Sequence, residues 1–178
     1  MHLFLDCDGV LADFDRAATA LLGVPPREHQ RHFGPGEFWA RIGSAPDFYA
    51  TLPPMPDARL LFEPVAHLHS TILTGRPRGG WAEPPKVPAM RSIVGKAAEG
   101  EAQKARWAAQ HFPGTPLITC MARNKRDHGR PGDVLVDDTL THRHRWEEMG
   151  GVFVHHRDAR TTLAELARLG LPVAAPAA

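Results

Sequence analysis

The sequence predicts an α/β fold in which a parallel, Rossmann-like sheet carries a small helical insertion after its first strand. Five short apolar segments are bounded by glycine, proline or charged residues, which is typical of buried strands. Helical patterns separate most of these segments. Because strands that alternate with helices favour right-handed parallel crossovers, the order of the elements indicates a doubly wound sheet.

The predicted strands are rich in β-branched or bulky residues and cover 2–6, 70–74, 116–120, 134–137 and 151–155. The predicted helices between and after them cover 57–69, 100–112 and 158–169. The last helix has the clearest limits, since Asp158 can cap its first turn and Gly170 can end it.

Two stretches interrupt this alternation. Residues 13–55 contain short helical patterns without a good strand, so we predict a core domain of 1–14 and 56–178 with a helical cap at 15–55. Residues 84–100 are rich in proline and glycine. We interpret them as an excursion, part loop and part short helix, to which the sequence assigns no role.

Composition and charge exclude several classes of protein. The formal net charge is +1, which argues against broad binding of nucleic acid. No apolar segment approaches the length of a membrane span, and the chain begins in a strand that leads directly to Asp6, which argues against a signal peptide. Cys7 and Cys120 are expected to be buried thiols. We therefore expect a cytoplasmic protein without membrane partners, and the oligomeric state stays open.

An acid pair follows the first predicted strand. Asp6 and Asp8 are one residue apart and are followed by Gly9, at the edge of the sheet where open α/β folds bind ligands. One acid could attack a substrate and the other could transfer a proton, while a divalent cation would reduce their repulsion. Alone, such a pair is more often a turn with capping acids.

Three further features follow later strands. Thr74 and Gly75 end the second strand, Lys125 follows the third, and Asp137 and Asp138 end the fourth. Each feature has an ordinary explanation on its own, as a strand end, a solvated basic loop or a helix cap. Because all occur in order, each after a strand, their combination predicts one active site.

In these motifs the chain resembles the haloacid dehalogenase superfamily of phosphohydrolases. The segments 6–10, 74–75, 125 and 137–138 are similar to its four motifs, in the family's order. Residues 6–14, 53–58 and 131–138, together with the helical insertion, further resemble the 5'(3')-deoxyribonucleotidase branch and its bacterial relatives. The likeness covers nearly the whole chain except 84–100 and the C-terminal tail.

The resemblance implies a Mg²⁺-dependent phosphatase. Asp6, Asp137 and the backbone carbonyl of Asp8 would hold the metal. Asp6 would attack phosphorus to form an aspartyl-phosphate, and Asp8 would act as general acid and then as general base.

The remaining motif residues receive supporting roles from the same resemblance. Thr74 and the backbone N–H of Gly75 would bind phosphoryl oxygens. Lys125 would offset the developing charge and keep Asp6 ionised. Asp138 would orient Lys125 or a metal-bound water.

The resemblance implies that the substrate is a small phosphate monoester. Within that class it favours nucleoside monophosphates, and among these a deoxyribonucleotide. Candidate pocket residues are Phe14, Trp39, Phe48, Tyr49 and Arg76. The aromatic residues could stack on a base or could form the core of the insertion. Arg76 could contact a substrate phosphate or could be solvated.

Other functions stay open at this point. The chain could be a phosphatase for a different small metabolite, or a phosphate- or nucleotide-binding protein without catalysis. A basic run at 123–130 could bind nucleic-acid ends, although the net charge argues against it. The histidines at 142, 144, 155 and 156 are interpreted as surface and strand-end residues rather than metal ligands.

Overall fold

The computed structural model describes residues 1–76 and 88–175, and within 88–98 only the backbone. By packing, the chain divides into two compact units. The first unit contains Met1–Ala12, Pro54–Gly75 and Gly114–Ala178, and the second contains Asp13–Pro53 and Arg76–Pro113. In the described part of the chain, no helix combines the length and the apolar character needed to cross a membrane.

The first unit is built on a five-stranded sheet in which every neighbouring pair is parallel. The strands are β1 Leu3–Leu5, β2 Thr71–Gly75, β3 Leu117–Cys120, β4 Val134–Asp137 and β5 Val152–His155. Their order across the sheet is β3-β2-β1-β4-β5. The predicted α/β fold and its five strands are confirmed, and no strand end lies more than one residue from its predicted position.

The strand order changes direction beside β1. From β1 the chain builds β2 and β3 on one side of the sheet, and it then crosses to build β4 and β5 on the other side. A crevice forms where successive crossovers leave a sheet in opposite directions, outside the carboxyl ends of the strands. The carboxyl ends of β1 and β4 therefore border the place where this fold can bind a ligand.

The opposite ends of β1 and β4 are joined by one carboxylate. Asp133 accepts a hydrogen bond from the backbone N–H of His2 at 2.7 Å and another from that of Arg130 at 2.9 Å. The Asp133 side chain is buried, and buried carboxylate oxygens need hydrogen-bond donors, which these two N–H groups supply. Asp133 thus fixes the register of β1 against β4.

One face of the sheet packs against helix α5, which spans Arg143–Glu148. Trp146 of this helix is 1% exposed and lies edge-on to Phe4, with ring centroids 5.5 Å apart. Its indole N–H donates to the carbonyl of Val152 at 3.1 Å. Gly129 and Gly151 allow the close approach, since a Cβ on either would collide with the indole ring. This tryptophan is the centre of the packing on that face.

The remaining helices of the first unit are α3 Ala58–Phe62, a 3-10 helix Glu63–Leu68, and α6 Ala159–Arg168. The predicted helix 57–69 therefore forms only in its first part. Pro64 supplies no backbone N–H for a continuing α-helix, so the chain tightens into 3-10 geometry. Asp158 caps α6 as predicted, accepting from the N–H of Thr161 at 2.8 Å.

The second unit is helical, with α1 Phe14–Leu22, α2 Pro26–Ser44, a 3-10 helix Phe48–Thr51 and α4 Pro88–His111. Gly34, at φ 80°, breaks α2 into two helical segments. Two buried polar contacts join α4 to the segment around the 3-10 helix. The indole N–H of Trp107 donates to Leu52 at 2.8 Å, and Gln103 accepts from the N–H of Tyr49 at 2.9 Å.

Helix α4 starts earlier than the sequence predicts. The predicted excursion at 84–100, part loop and part short helix, is helical from 88 onward, but the helix is long rather than short, because it runs without a break through Gly95 and Gly100. Alanine, methionine, arginine, lysine and glutamate around them are strong helix formers and offset the cost of the glycines. Residues 84–87 lie outside the described part of the chain.

The contacts of α4 also bear on the domain division. The described residues of 76–113, a segment that the sequence assigned to the core, group by packing with 13–53. The physical reason is the burial of Trp107 and Gln103 against that segment. That 15–55 acts as a cap stays a prediction.

Trp146→Ala should lower the free energy of unfolding by about 3–5 kcal/mol, since it removes a buried tryptophan and leaves a cavity beside the sheet. Denaturant unfolding measures this change. Phe33→Ala is the control, because Phe33 is 64% exposed and its truncation should change the free energy by no more than about 0.5 kcal/mol. Equal effects of the two substitutions would contradict the packing described for Trp146.

Candidate active site

The carboxyl ends of β1 and β4 bring two acidic residues together. Asp6 continues directly from β1, and its N–H donates to the carbonyl of Val136 in β4 at 2.9 Å. Asp137 is the last residue of β4. Because the two strands are adjacent and parallel, both carboxylates stand at the edge where the strand order changes. The predicted meeting of Asp6 and Asp137 is therefore observed.

Lys125 lies between these two carboxylates. Its Nζ is 2.9 Å from Oδ1 of Asp6 and 2.6 Å from Oδ2 of Asp137. The lysine reaches them from the 3-10 helix Ala122–His128, which follows β3. All three residues are buried, with exposed fractions between 6% and 8%. The arrangement is a buried ion triad in which one cation compensates two anions.

Hydrogen bonds fix the orientation of both carboxylates. Oδ1 of Asp6 accepts from the N–H of Cys7 at 2.8 Å in addition to Lys125. Among the described residues both bonds to this side chain end on Oδ1, which leaves Oδ2 as the oxygen that could attack a substrate. Oδ1 of Asp137 accepts from the N–H of Thr139 at 2.8 Å.

Thr139 was not singled out from the sequence. A residue two positions after an aspartate commonly returns its N–H to the side chain in an Asx turn, and this is the signal that could have identified it.

The charges of the triad change the proton affinities of its members. Burial alone would lower the pKa of Lys125, but the charges of Asp6 and Asp137 and the hydrogen bonds to them raise it above its ordinary value. Lys125 is therefore fully protonated at neutral pH. Burial, and next the charge of Asp6, raise the pKa of Asp137, while Lys125 opposes that shift.

Asp138 adds a third carboxylate. One oxygen each from Asp6, Asp137 and Asp138 lie within 4.8 Å of one another. Burial and the charges of Asp6 and Asp137 raise the pKa of Asp138 from 3.8 to about 7, so the three groups repel one another. Hard, anionic oxygen donors at this spacing suit a small divalent cation such as Mg²⁺. The donor set thus fits the predicted metal. That Asp6 and Asp137 hold it, and that Asp138 has only a supporting role, stay predictions.

Gly9 forms the turn that admits this third carboxylate. The backbone there has φ +80°, which glycine adopts without strain. A Cβ at position 9 would lie 2.5 Å from both Cγ and Oδ2 of Asp138. The N–H of Gly9 donates to the carbonyl of Ala12 at 2.9 Å, which closes the loop after Asp6. Glycine is therefore required here both for its conformation and for the space it leaves.

The other predicted core residues lie on the same unit. Asp8 forms an isolated bridge with Ala12 in the turn after β1. Thr74 and Gly75 end β2, the neighbour of β1 on the side away from β4. Thr74 has no exposed surface. The catalytic role of Asp8, the phosphate-binding roles of Thr74 and Gly75, and a ligand role for the carbonyl of Asp8 stay predictions.

The predicted substrate-pocket residues all belong to the second unit. Phe48 and Tyr49 are buried at 7% and 6% exposure, and the ring of Phe14 contacts both, at centroid distances of 5.5 and 6.4 Å. Trp39, half-buried, lies 6.1 Å from the ring of Phe14. These rings form an aromatic cluster that supplies core packing for the unit. Whether they also contact a substrate stays a prediction.

Arg76 has a local partner. Its Nε lies 2.6 Å from Oε1 of Glu101 in α4, within the second unit. This ion pair already neutralises the guanidinium, so a substrate phosphate would have to compete with a carboxylate for it. The predicted contact of Arg76 with a phosphate is untested.

Comparisons with known proteins identify a general similarity of structure. L-2-haloacid dehalogenase from Xanthobacter autotrophicus matches with 16% sequence identity and a TM-score of 0.48, covering 98% of this chain and 84% of that one. The same enzyme with chloropropionic acid covalently bound matches with 15% identity and a TM-score of 0.48, covering 97% and 84%. No protein-family model and no curated protein matches the chain. A similarity of this size carries no argument about the chemistry of the site.

Lys125→Met should lower the free energy of unfolding in EDTA by about 3–5 kcal/mol, because it leaves two buried carboxylates without their cation. Denaturant unfolding measures the change. Arg126→Met is the matched control on the same 3-10 helix, since Arg126 is exposed and its ion pair with Glu148 is 3.6 Å long. Equal losses in the two variants would refute a buried ion triad.

Gly9→Ala should weaken Mg²⁺ binding at least about tenfold, since the added methyl group displaces Asp138 from the cluster. Titration calorimetry measures the affinity. Gly132→Ala is the control, because Gly132 also has a positive φ, +88°, but no atom lies within 4 Å of the added Cβ. Gly132→Ala should lower the free energy of unfolding by about 1–2 kcal/mol through backbone strain, and it should leave the affinity for Mg²⁺ unchanged. Unaltered affinity in Gly9→Ala would show that the approach of Gly9 to Asp138 has no part in metal binding.

Proposed function

We propose that this protein is a Mg²⁺-dependent phosphatase of the haloacid dehalogenase superfamily that acts on a small phosphate monoester through an aspartyl-phosphate at Asp6. The observation that carries the proposal is the position of Lys125 between Asp6 and Asp137, inside a cluster of three carboxylates at the edge of a parallel sheet. The sequence motifs and their order add to it.

The charge of this cluster favours a cation together with an anionic substrate. A phosphate monoester is anionic, so three carboxylates alone would repel it. When bound, Mg²⁺ would supply positive charge for the phosphoryl oxygens and align the phosphate with its attacker. Lys125 contributes the positive charge that the chain itself provides. A site of this composition can therefore bring a carboxylate nucleophile against a phosphate.

The reaction proceeds in two displacements. In the first, Oδ2 of Asp6 forms a bond to phosphorus while the bond from phosphorus to the leaving oxygen breaks, and Asp8 gives that oxygen a proton. In the second, a water molecule loses a proton to Asp8 and attacks the same phosphorus. The bond to Asp6 breaks, which restores the carboxylate and releases inorganic phosphate. Lys125 stays protonated throughout and holds Asp6 in place.

A nucleoside monophosphate, and first a deoxyribonucleotide, is the proposed substrate. Support comes from the resemblance of 6–14, 53–58 and 131–138 to the deoxyribonucleotidase branch and from the aromatic cluster around Phe14. A different small phosphorylated metabolite is the second candidate. Comparison of kcat/KM over a panel of nucleotides and sugar phosphates separates the two candidates. A kcat/KM for a sugar phosphate more than about tenfold above that for any nucleotide would contradict the nucleotide as substrate.

Asp6→Asn should abolish hydrolysis of p-nitrophenyl phosphate, with a loss of at least about a thousandfold in kcat, because the amide is a poor nucleophile. The wild-type protein should hydrolyse this substrate in the presence of Mg²⁺, and hydrolysis should stop when EDTA is added. Acid quenching of wild-type protein with radiolabelled substrate should trap label on Asp6.

Asp127→Asn is the control for this experiment, since Asp127 is an exposed acid on the 3-10 helix that carries Lys125. It should keep full activity. Ordinary turnover by Asp6→Asn would end the covalent mechanism. If the wild-type protein hydrolysed no phosphate monoester but bound phosphate with Mg²⁺, a binding protein without catalysis would replace the phosphatase.

A further inference from the structure

Two consecutive histidines of β5 hold the acidic end of β4. Asp137 and His155 are register partners in the parallel pairing of these strands. The backbone N–H of His156 donates to the carbonyl of Asp137 at 3.0 Å, and Nε2 of His155 lies 3.0 Å from the carbonyl oxygen of Asp138. Because a carbonyl oxygen can only accept, Nε2 of His155 is the donor. The imidazole therefore extends the contact between the strands one residue beyond the end of β4.

The peptide group that His155 holds is also the one that orients Asp137. The carbonyl of Asp138 and the N–H of Thr139 belong to the same planar unit, so fixing one end of it fixes the other. That N–H donates to Oδ1 of Asp137 at 2.8 Å. Oδ2 of the same carboxylate accepts from Nζ of Lys125 at 2.6 Å. A chain of hydrogen bonds thus joins a histidine at the end of β5 to the buried ion triad.

The two hydrogen bonds on this peptide group point the same way. The imidazole N–H polarises the carbonyl of Asp138, which makes the N–H of Thr139 a better donor toward Asp137. Without the imidazole, the planar group could rotate as a unit about the single bonds on either side of it. Such a rotation would turn the N–H of Thr139 away from Oδ1 of Asp137, and a hydrogen bond weakens steeply as its angle falls. The histidine therefore bears on the direction of a carboxylate that it does not touch.

The burial of these groups separates orientation from stability. The hydrogen bond between His155 and the carbonyl of Asp138 is exposed to solvent, so water can replace either partner and the bond contributes little to the free energy of unfolding. Asp137 is only 7% exposed, so the direction of its carboxylate depends on fixed protein donors rather than on water. Loss of the imidazole should therefore disturb the direction of the Asp137 carboxylate more than the stability of the fold.

We infer that His155 is a positioning residue, which orients the carboxylate of Asp137 through the peptide group between Asp138 and Thr139. Partners that orient a metal ligand commonly contribute to metal affinity although they do not contact the ion. The consequence for Mg²⁺ binding rests on the proposed function, because it requires Asp137 to be a ligand. The orientation of Asp137 by His155 does not rest on it.

Hydrogen exchange of the Thr139 amide, followed by NMR in EDTA, tests the inference without metal. In the wild-type protein the bond to Asp137 should protect this amide. His155→Leu removes the donor and should make the amide exchange at least about tenfold faster, because its peptide group is no longer fixed. His155→Gln should keep the rate within about threefold of wild type, because glutamine is of similar length and also ends in an N–H donor.

His144→Leu is the matched control, because it replaces an exposed histidine on α5. It should leave the exchange of Thr139 unchanged. Thermal unfolding in EDTA checks the fold, and the midpoint of His155→Leu should lie within about 3 °C of wild type. Equal exchange of Thr139 in wild type and His155→Leu, or exchange in His155→Gln as fast as in His155→Leu, would overturn the inference. If His155→Leu did not fold, His155→Asn would decide, since its shorter amide cannot replace Nε2 and should give the same faster exchange.

Titration calorimetry with Mg²⁺ measures what this orientation contributes to metal binding. His155→Leu should weaken Mg²⁺ binding about three- to tenfold, at or below the lower end of the effect of a partner that contacts the ligand directly. His155→Gln should bind Mg²⁺ within about twofold of wild type. Faster exchange of Thr139 with unchanged Mg²⁺ affinity in His155→Leu would contradict Asp137 as a ligand, and so the proposed function, while the orientation of Asp137 by His155 would stand. If the wild-type protein bound no Mg²⁺, the proposed function would fail and the exchange measurement would still decide on His155.

Discussion

The ion triad of Lys125, Asp6 and Asp137 is the interaction on which the rest of this site depends. Two carboxylates at the ends of neighbouring strands are buried, and burial of either without compensation would cost several kcal/mol. One ammonium group within 2.9 Å of both removes most of that cost. The triad still leaves an excess of negative charge, which increases when Asp138 ionises. The same arrangement therefore allows both carboxylates to be buried and leaves a cluster whose charge suits a cation.

The topology explains why these residues meet. Asp6 and Asp137 are far apart in the sequence but end adjacent parallel strands, and the change of strand order beside β1 opens a crevice at their carboxyl ends. Gly9 turns the chain immediately after Asp6 and leaves room for Asp138. The chemistry of the site thus follows from where the strands end, and its charge follows from which side chains occupy those ends.

Much of this arrangement could be predicted from local patterns. Buried strands such as 134–137 are short apolar runs, and acids that follow such runs must stand at one edge of a parallel sheet. The start of α4 was missed because Gly95 and the prolines around 84–88 indicate a break locally, whereas helix formers and tertiary packing decide otherwise. The same reasoning predicted a full α-helix at 57–69, and it underestimated the effect of Pro64.

The approach of Arg123 and Arg145 to one small cavity could not be predicted for a different reason. Arg123 follows β3 and Arg145 follows β4, and these strands are not neighbours in the sheet. Only the path of the 3-10 helix Ala122–His128 brings the two arginines to one cavity. Sequence patterns indicate which side chains follow a strand. They do not indicate the path that the next loop takes along the edge of the sheet.

Crystals grown with Mn²⁺, a divalent cation that also prefers oxygen ligands, give the most direct test of the central claim. The account predicts an anomalous scattering peak within coordination distance of carboxylate oxygens of Asp6 and Asp137, with Lys125 still paired to both residues. A map at saturating Mn²⁺ with no peak among Asp6, Asp137 and Asp138 would contradict it.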